Sequence, residues 1–181
     1  MSPSLVTGAI AVINTHSLSV SNYCTGFATS EMWLTTGSGF VEDGIIAGEH
    51  ADKSCGSGDQ FFWGEFSTNL SGLFAQHFPG GSVGFNTNYT FKILFLQSTW
   101  YEVDRNGSAI GYATSSSCCG SEPEAGAESS SGSFNDGGEA SGLQKQISGS
   151  WSYGWTGAVV NNQGGAFTMS GTPSSDESWS H

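Results

Sequence analysis

Lysine and arginine are almost missing from this chain: four of its 181 residues are cationic, against 16 Asp and Glu, for a formal charge of −12. That shortage excludes partners that need neutralising positive charge. A phosphate backbone is gripped by clustered Lys and Arg, and Lys53, Lys92, Arg105 and Lys145 form no cluster in the sequence. Nucleic acid is therefore excluded as a partner, and anionic membrane surfaces are disfavoured for the same reason. No apolar run approaches the ~20 residues of a membrane-spanning helix, so no membrane span is expected. Met1-Ser2-Pro3-Ser4 lacks the charged start and apolar stretch of a signal peptide. The expectation is a mature segment carrying an initiator Met, or a leaderless protein. Helix-forming stretches of Ala, Leu, Glu and Lys are missing as well. So are the usual marks of a nucleophile or a metal: no Ser lies in a Gly-x-Ser-x-Gly turn and no His-Glu-x-x-His occurs. The four cysteines show no Cys-x-x-Cys spacing, and His16, His50, His77 and His181 are scattered. Neither a metal nor a cofactor is expected.

What the chain has is aromatic mass and glycine. Twelve Phe, six Trp and five Tyr among 181 residues are too many for a disordered polymer. They imply a folded domain with an aromatic core joined by Gly- and Ser-rich connections. At this length one domain is the natural reading, with residues 1–171 as a single sandwich and 172–181 as a polar tail. The acidic, Lys-poor composition fits a secreted, extracellular protein, for which low pH relieves carboxylate self-repulsion. Cys24 and Cys55 can form one disulfide in an oxidising compartment. Adjacent Cys118 and Cys119 must then pair with each other, link to other chains, or share partners with the first two, and the sequence leaves all three open. Asn69, Asn88 and Asn106 each begin a glycosylation sequon, which has meaning only for a eukaryotic source.

Strand patterns follow one another along the chain. Leu5 to Asn14 is a β-branched run, Glu31 to Thr36 alternates, and Phe40 to Gly48 and Gln60 to Thr68 are bounded by Gly or polar clusters. In Tyr89 to Tyr112, Phe91, Ile93 and Phe95 share one strand face by the two-residue period, and Asn106-Gly107 is a type I′ hairpin pair. Further strands are expected over Ala125 to Ser129, Leu143 to Tyr153, Gly157 to Asn161 and Ala166 to Ser170. Ser129 to Ser141 reads as a surface loop. Short strands at this spacing predict an all-β fold, a two-sheet antiparallel sandwich with curved, concanavalin-like sheets.

With cationic and nucleophilic chemistry so thin, carboxylates carry the search for a site. Two lie inside apolar strands and not in turns. Alternation puts Glu42 on one face with Phe40, Gly44 and Ile46; Glu128 follows Ala125-Gly126-Ala127, and Gly126 leaves open space beside it. A carboxyl on a strand face among Gly and aromatics is desolvated, which raises its pKa. The bland alternative is a solvent-facing Glu on the outer side of a sheet. His77, between Gln76 and Phe78, has packing as its bland reading and substrate contact as its functional one.

Trp33, the run Phe40-Val41-Glu42-Asp43-Gly44, the later Phe61-Phe62-Trp63-Gly64-Glu65 and Ala125-Gly126-Ala127-Glu128 resemble, in order and spacing, the glutamic peptidase superfamily, which includes the eqolisins and the neprosin-like enzymes. The pattern is also similar to uncharacterised secreted bacterial proteins of the same kind. The stretch from Trp100 to Tyr112 looks like the Trp strand and Ile-Gly-Tyr hairpin of the neprosin-like group. The resemblance implies a curved two-sheet sandwich and a catalytic pair in which Glu42 takes the place of the eqolisin Gln and Glu128 is the catalytic Glu. It implies that Trp33 and Trp63 line a cleft for a peptide or protein substrate and that the enzyme is an acid-acting endopeptidase; His77 and Tyr101 are further candidate substrate contacts. Two departures stand out: the connection from Trp33 to Glu42 is shorter than in eqolisins, and Ser129, Ser130 and Ser131 replace the acidic cluster that follows Ala-Glu there.

Three other readings use the same residues. A non-catalytic carbohydrate-binding sandwich would stack Trp33, Trp63, Trp100 or Tyr101 on sugar rings. A glycoside hydrolase would also place two carboxylates in a curved sandwich, but its Glu-x-Asp-x-x-Glu run is absent. A surface structural protein would bind other copies of itself, with Cys118 and Cys119 as crosslinks.

Overall fold

Alternation in the first strand sets the layering. In Val6–Thr15 (β1), Ala9, Ala11 and Ile13 are fully buried while Thr7, Ile10 and Val12 are only partly so, the two-residue period of a strand whose faces meet different surroundings. The computed structural model describes residues 5–120, 123–130, 134–135, 137–155, 168–172 and 176–180. Its remaining strands are β2 (Ser19–Val20), β3 (Phe27–Thr35), β4 (Gly39–Gly48), β5 (Gln60–Ser67), β6 (Phe74–His77), β7 (Thr87–Gln97), β8 (Trp100–Arg105) and β9 (Ser108–Ala113). Beyond these lie β10 (Pro123–Gly126), β11 (Phe134–Asn135), β12 (Gly137–Ile147), β13 (Ser150–Tyr153), β14 (Thr168–Thr172) and β15 (Asp176–Ser180). A single 3-10 turn, Thr68–Leu70, is the helical element among the described residues.

The strands form two main antiparallel sheets. One has the order β14-β15-β12-β1-β7-β8-β9, with β13 on β12; the other has the order β10-β3-β4-β5-β6. A short β2–β11 pair stands apart. The core lies between the sheets: Ala9, Ala11, Ile13, Phe91, Ile93, Tyr101 and Val103 from the first meet Met32, Leu34, Val41, Ile45, Phe61 and Trp63 from the second. The fold is the expected all-β sandwich and is not a closed barrel. The Asn106-Gly107 hairpin forms between β8 and β9, both residues at positive φ (51° and 78°), as a type I′ turn requires.

The structure departs from the sequence reading mainly in the second half of the chain. Leu143 to Tyr153 is a hairpin, β12 to β13, turning at Ser148-Gly149, both at positive φ. The expected loop from Ser129 to Ser141 contains β11 and the start of β12, because ladder hydrogen bonds come from the backbone and do not need apolar side chains. The strand expected over Ala125 to Ser129 ends at Gly126, and Ser129 makes one isolated bridge to Ala28. The expected polar tail 172–181 holds the end of β14 and all of β15, which pairs with both β12 and β14. Gly157 to Asn161 lies outside the described residues. Of the disulfide options, Cys24 bonds to Cys55, with Cα atoms 4.1 Å apart, and Cys118 bonds to its neighbour Cys119.

Glu65 joins β5 to the segment that leaves β9. On the inner face of its sheet, its carboxylate accepts from the Thr114 and Ser115 backbone N–H groups (both 3.2 Å) and from the Ser116 hydroxyl (3.1 Å). The buried Ser116 hydroxyl and the partly buried Thr114 and Ser115 N–H groups would each carry a desolvation cost if left without an acceptor. Glu65→Ala is expected to lower stability by about 3 kcal/mol or more, read from urea unfolding midpoints; an unchanged midpoint would show that water replaces the carboxylate.

Candidate active site

The residue before and the residue after a strand position face opposite ways, and in β4 this separates two acidic side chains. Val41, Asp43, Ile45 and Ala47 enter the core, whereas Phe40, Glu42 and Ile46 line a cleft on the other face of the five-stranded sheet. The cleft holds about 600 Å³. Its floor carries three carboxyls, Glu31 from β3, Glu42 from β4 and Glu128 just past β10, with Thr29 among them. Phe40, Phe62 and Phe74 form an apolar wall, and the segment from Glu49 to Lys53 forms another. Gln76 holds that second wall by accepting from the Ala51 N–H (2.9 Å), and the Cys24–Cys55 bond closes the loop that follows it.

Glu42 sits opposite Trp33 on β3 and Gly64 on β5. Only 6% of its surface is exposed. Burial, with the nearby charge of Glu128 as the second cause, pushes its pKa from 4.5 up to about 8; a hydrogen bond from the Trp33 side chain offsets part of this. Glu128 is less enclosed and is also raised, first by desolvation and then by Glu124. Two carboxyls in one cleft that hinder each other's ionisation share protons as a pair. The more buried Glu42 keeps its proton while Glu128 ionises first.

Glu31 is a site residue that sequence reasoning passed over. It is 1% exposed and pairs across β3–β4 with Gly44. A Cβ at position 44 would lie 2.4 Å from the Glu31 Cβ, so the glycine makes room for the acidic side chain. The signal was available, since Glu31 and Trp33 stand two apart in an alternating strand and so share a face.

Of the residues expected to touch substrate, Trp33 faces the cleft side and three do not. Trp63 pairs with Asp43, one position out of phase with Glu42, and so points into the core, where its ring packs over Gly111. His77 is opposite Trp63 on the same inward-directed face and stacks on it, with ring centroids 4.0 Å apart at the exposed edge of the sheet. Tyr101, on β8 in the other sheet, is fully buried beside Phe95. The aromatic residue types drew attention to these positions; the one-residue phase of each strand decides which face they occupy. Among the described residues no cluster of His, Cys, Asp and Glu is arranged to hold a metal ion.

Asp43 shows what the same strand does on its inner face. It is wholly buried, and neither carboxyl oxygen completes a hydrogen bond among the described residues. Burial drives its pKa well upward, and the opposing charge of Arg105 and the Gly44 backbone offset this only in part. Arg105 itself lies over the Phe61 ring, 3.7 Å from the centroid, and donates to the Gly80 carbonyl.

No family model matches the chain, and no curated protein sequence matches it. Solved structures do. The crystal structure of scytalido-glutamic peptidase with a transition state analog inhibitor aligns with a TM-score of 0.55 at 12% identity, covering 99% of this chain and 98% of that one. The same peptidase with a peptide-based transition state analog aligns at 0.53 and 12%, with 99% and 98% covered. SCP-B, a member of the eqolisin family of peptidases in complex with the tripeptide Ala-Ile-His, aligns at 0.53 and 12%, with 99% and 94% covered. At this identity the likeness is one of fold, a remote relationship to the eqolisin sandwich.

The raised carboxyls make stability depend on pH in a stated direction. Glu42 titrates near 4.5 when unfolded and near 8 when folded. Between those values the folded chain holds a proton that the unfolded chain has released. Its contribution is therefore complete below about 4.5 and falls as pH rises to about 8, by about 1.4 kcal/mol per pH unit. Asp43 shifts the same way and steepens the loss. Denaturant unfolding at a series of pH values should show this decline, flattened in Glu42→Gln and in Asp43→Asn; stability that rises across the window in the parent would contradict the burial of these groups.

Proposed function

We propose that this chain is a secreted endopeptidase that activates water with the pair Glu42 and Glu128 and acts on peptide or protein substrates. The observation that carries this reading is the placement of both carboxyls in one cleft, where burial first and the charge of Glu128 second raise the pKa of Glu42 to about 8. Such a difference in environment separates an acid from a base. The sandwich shared with eqolisin peptidases, which bind a tripeptide or transition state analogs in those structures, supports the same substrate class.

In this reading ionised Glu128 takes a proton from water, whose oxygen bonds to the scissile carbonyl carbon. Protonated Glu42 donates a hydrogen bond to the oxyanion that forms. Glu128 then passes its proton to the amide nitrogen, the C–N bond breaks, and an amine and an acid leave. Trp33 holds the Glu42 side chain through its hydrogen bond. The apolar wall of Phe40, Phe62 and Phe74 keeps the pair dry, which strengthens each of these interactions. Activity needs Glu128 ionised and Glu42 protonated, so it falls below the raised pKa of Glu128 and above about 8. The loss of stability with rising pH confines the useful range to its acid side.

A carbohydrate-binding role draws on a different surface. Trp100 and Tyr112 are exposed on the outer face of the larger sheet, with ring centroids 6.2 Å apart, and exposed aromatic faces stack on sugar rings. Glycan-array binding lost in Trp100→Ala would favour that reading.

Cleavage of a denatured protein across about pH 2 to 9 tests the dyad. Glu128→Gln should abolish turnover. Glu42→Gln should keep part of it and extend activity upward in pH, because an amide donates the same hydrogen bond and cannot ionise. Parent-like activity in both variants would remove the pair from the mechanism.

A further inference from the structure

Glu128 lies beyond the end of β10 at Gly126, so the ladder of that strand does not hold it. Both of its backbone polar groups are instead bonded to one residue. The Thr29 N–H donates to the Glu128 carbonyl (2.9 Å), and the Glu128 N–H donates to the Thr29 hydroxyl oxygen (2.9 Å). A hydroxyl has one proton to give, and that of Thr29 goes to Glu31 Oε1. The Glu128 carbonyl, 3.4 Å from the same hydroxyl oxygen, is the competing acceptor.

We propose that Glu31 is a positioning residue for Glu128: it holds the Thr29 hydroxyl proton on itself and so keeps the Thr29 lone pairs aimed at the Glu128 N–H. The proposal rests on the dyad reading for its catalytic meaning. If Glu31 did not accept, the hydroxyl could turn its proton toward the Glu128 carbonyl and lose its role as acceptor. Thr29 and Glu31 are both almost wholly buried, so water does not easily substitute for either contact. Gly44 completes the arrangement, because any side chain there would collide with Glu31. The two-carboxylate mechanism thus depends on a third carboxyl of the same cleft floor, which acts through Thr29. The chain Glu31–Thr29–Glu128 adds side-chain bonds to a segment past β10 that is otherwise joined to β3 by the Ser129–Ala28 bridge and the contacts of Ser130 with Phe27.

Four variants test this: Thr29→Val, Thr29→Ser, Glu31→Ala and Glu31→Gln, each with its unfolding midpoint measured. Two readouts are taken, kcat and KM on a denatured protein, and a carbon-13 NMR titration of the glutamate side chains. Thr29→Val and Glu31→Ala are expected to lower kcat by about 100-fold with little change in KM, the scale of a misplacement of about 1 Å. Thr29→Ser and Glu31→Gln, which keep a hydroxyl and an accepting oxygen, are expected to restore most of the loss. In the titration the coupling between Glu42 and Glu128 should weaken in Thr29→Val and persist in Thr29→Ser. Unchanged kcat and unchanged coupling in Thr29→Val would overturn the positioning role even if Glu128→Gln shows the dyad to be active. Weakened coupling in Thr29→Val, in a parent that cleaves nothing, would uphold the positioning and sink the peptidase reading alone.

Discussion

The phase of β4 is the constraint on which the rest of this protein depends. A strand places successive side chains on opposite faces, and β4 is the middle strand of a five-stranded sheet covered on both sides. Its odd-numbered residues seal the sandwich, and its even-numbered residues floor the cleft. Glu42 and Asp43 are neighbours in the chain yet occupy separate environments. A register slip of one residue would exchange them, placing Phe40 and Ile46 in the core and Asp43 in the cleft. The apolar inner set of Val41, Ile45 and Ala47, packed against the opposite sheet, holds the register and with it the site.

The cleft works through dryness. Glu42 is enclosed by the strand on each side and by the walls above it, so its ionised form lacks water and its pKa rises. Few cations are present to reverse that shift. The chain has four Lys and Arg in all. Lys92 pairs with Asp104 and Glu102 on the larger sheet, Arg105 offsets the shift of Asp43 only in part, and Lys53 on the cleft wall pairs with Glu49. No cation is among the causes acting on Glu42, so its raised pKa is opposed only by the Trp33 hydrogen bond. The same burial makes the fold more stable under acid conditions, which also relieve the self-repulsion of a net charge of −12.

Much of this could be read from residue order. The alternation around Phe40–Ile46 identified the face that Glu42 shares with Gly44 and Ile46, and the Gly-rich approach to Glu128 marked open space beside it. The cleft brings these two together with Trp33 nearby. Trp63, His77 and Tyr101 were read by residue type, and type does not give direction: an indole is equally at home in a core and in a binding site. Their strands place them between or beside the sheets, away from Glu42. Asp43 was hidden for the opposite reason, because an acidic residue next to a Gly in a strand looks like a surface position until the second sheet is laid over it.

Composition and periodicity by themselves determined that this is an acidic, aromatic-rich, all-β chain and directed the search for a site to its carboxyls, because charge balance and the two-residue period are properties of the chain alone. The tertiary structure decided which carboxyls meet. Glu31, Glu42 and Glu128 come from three places separated by up to 97 positions, and only the order β10-β3-β4 brings them to one floor. It also decided which cysteines bond and which aromatic side chains face inward. Those outcomes depend on strand order and on which sheet covers which face, and neither is written in any local stretch of sequence.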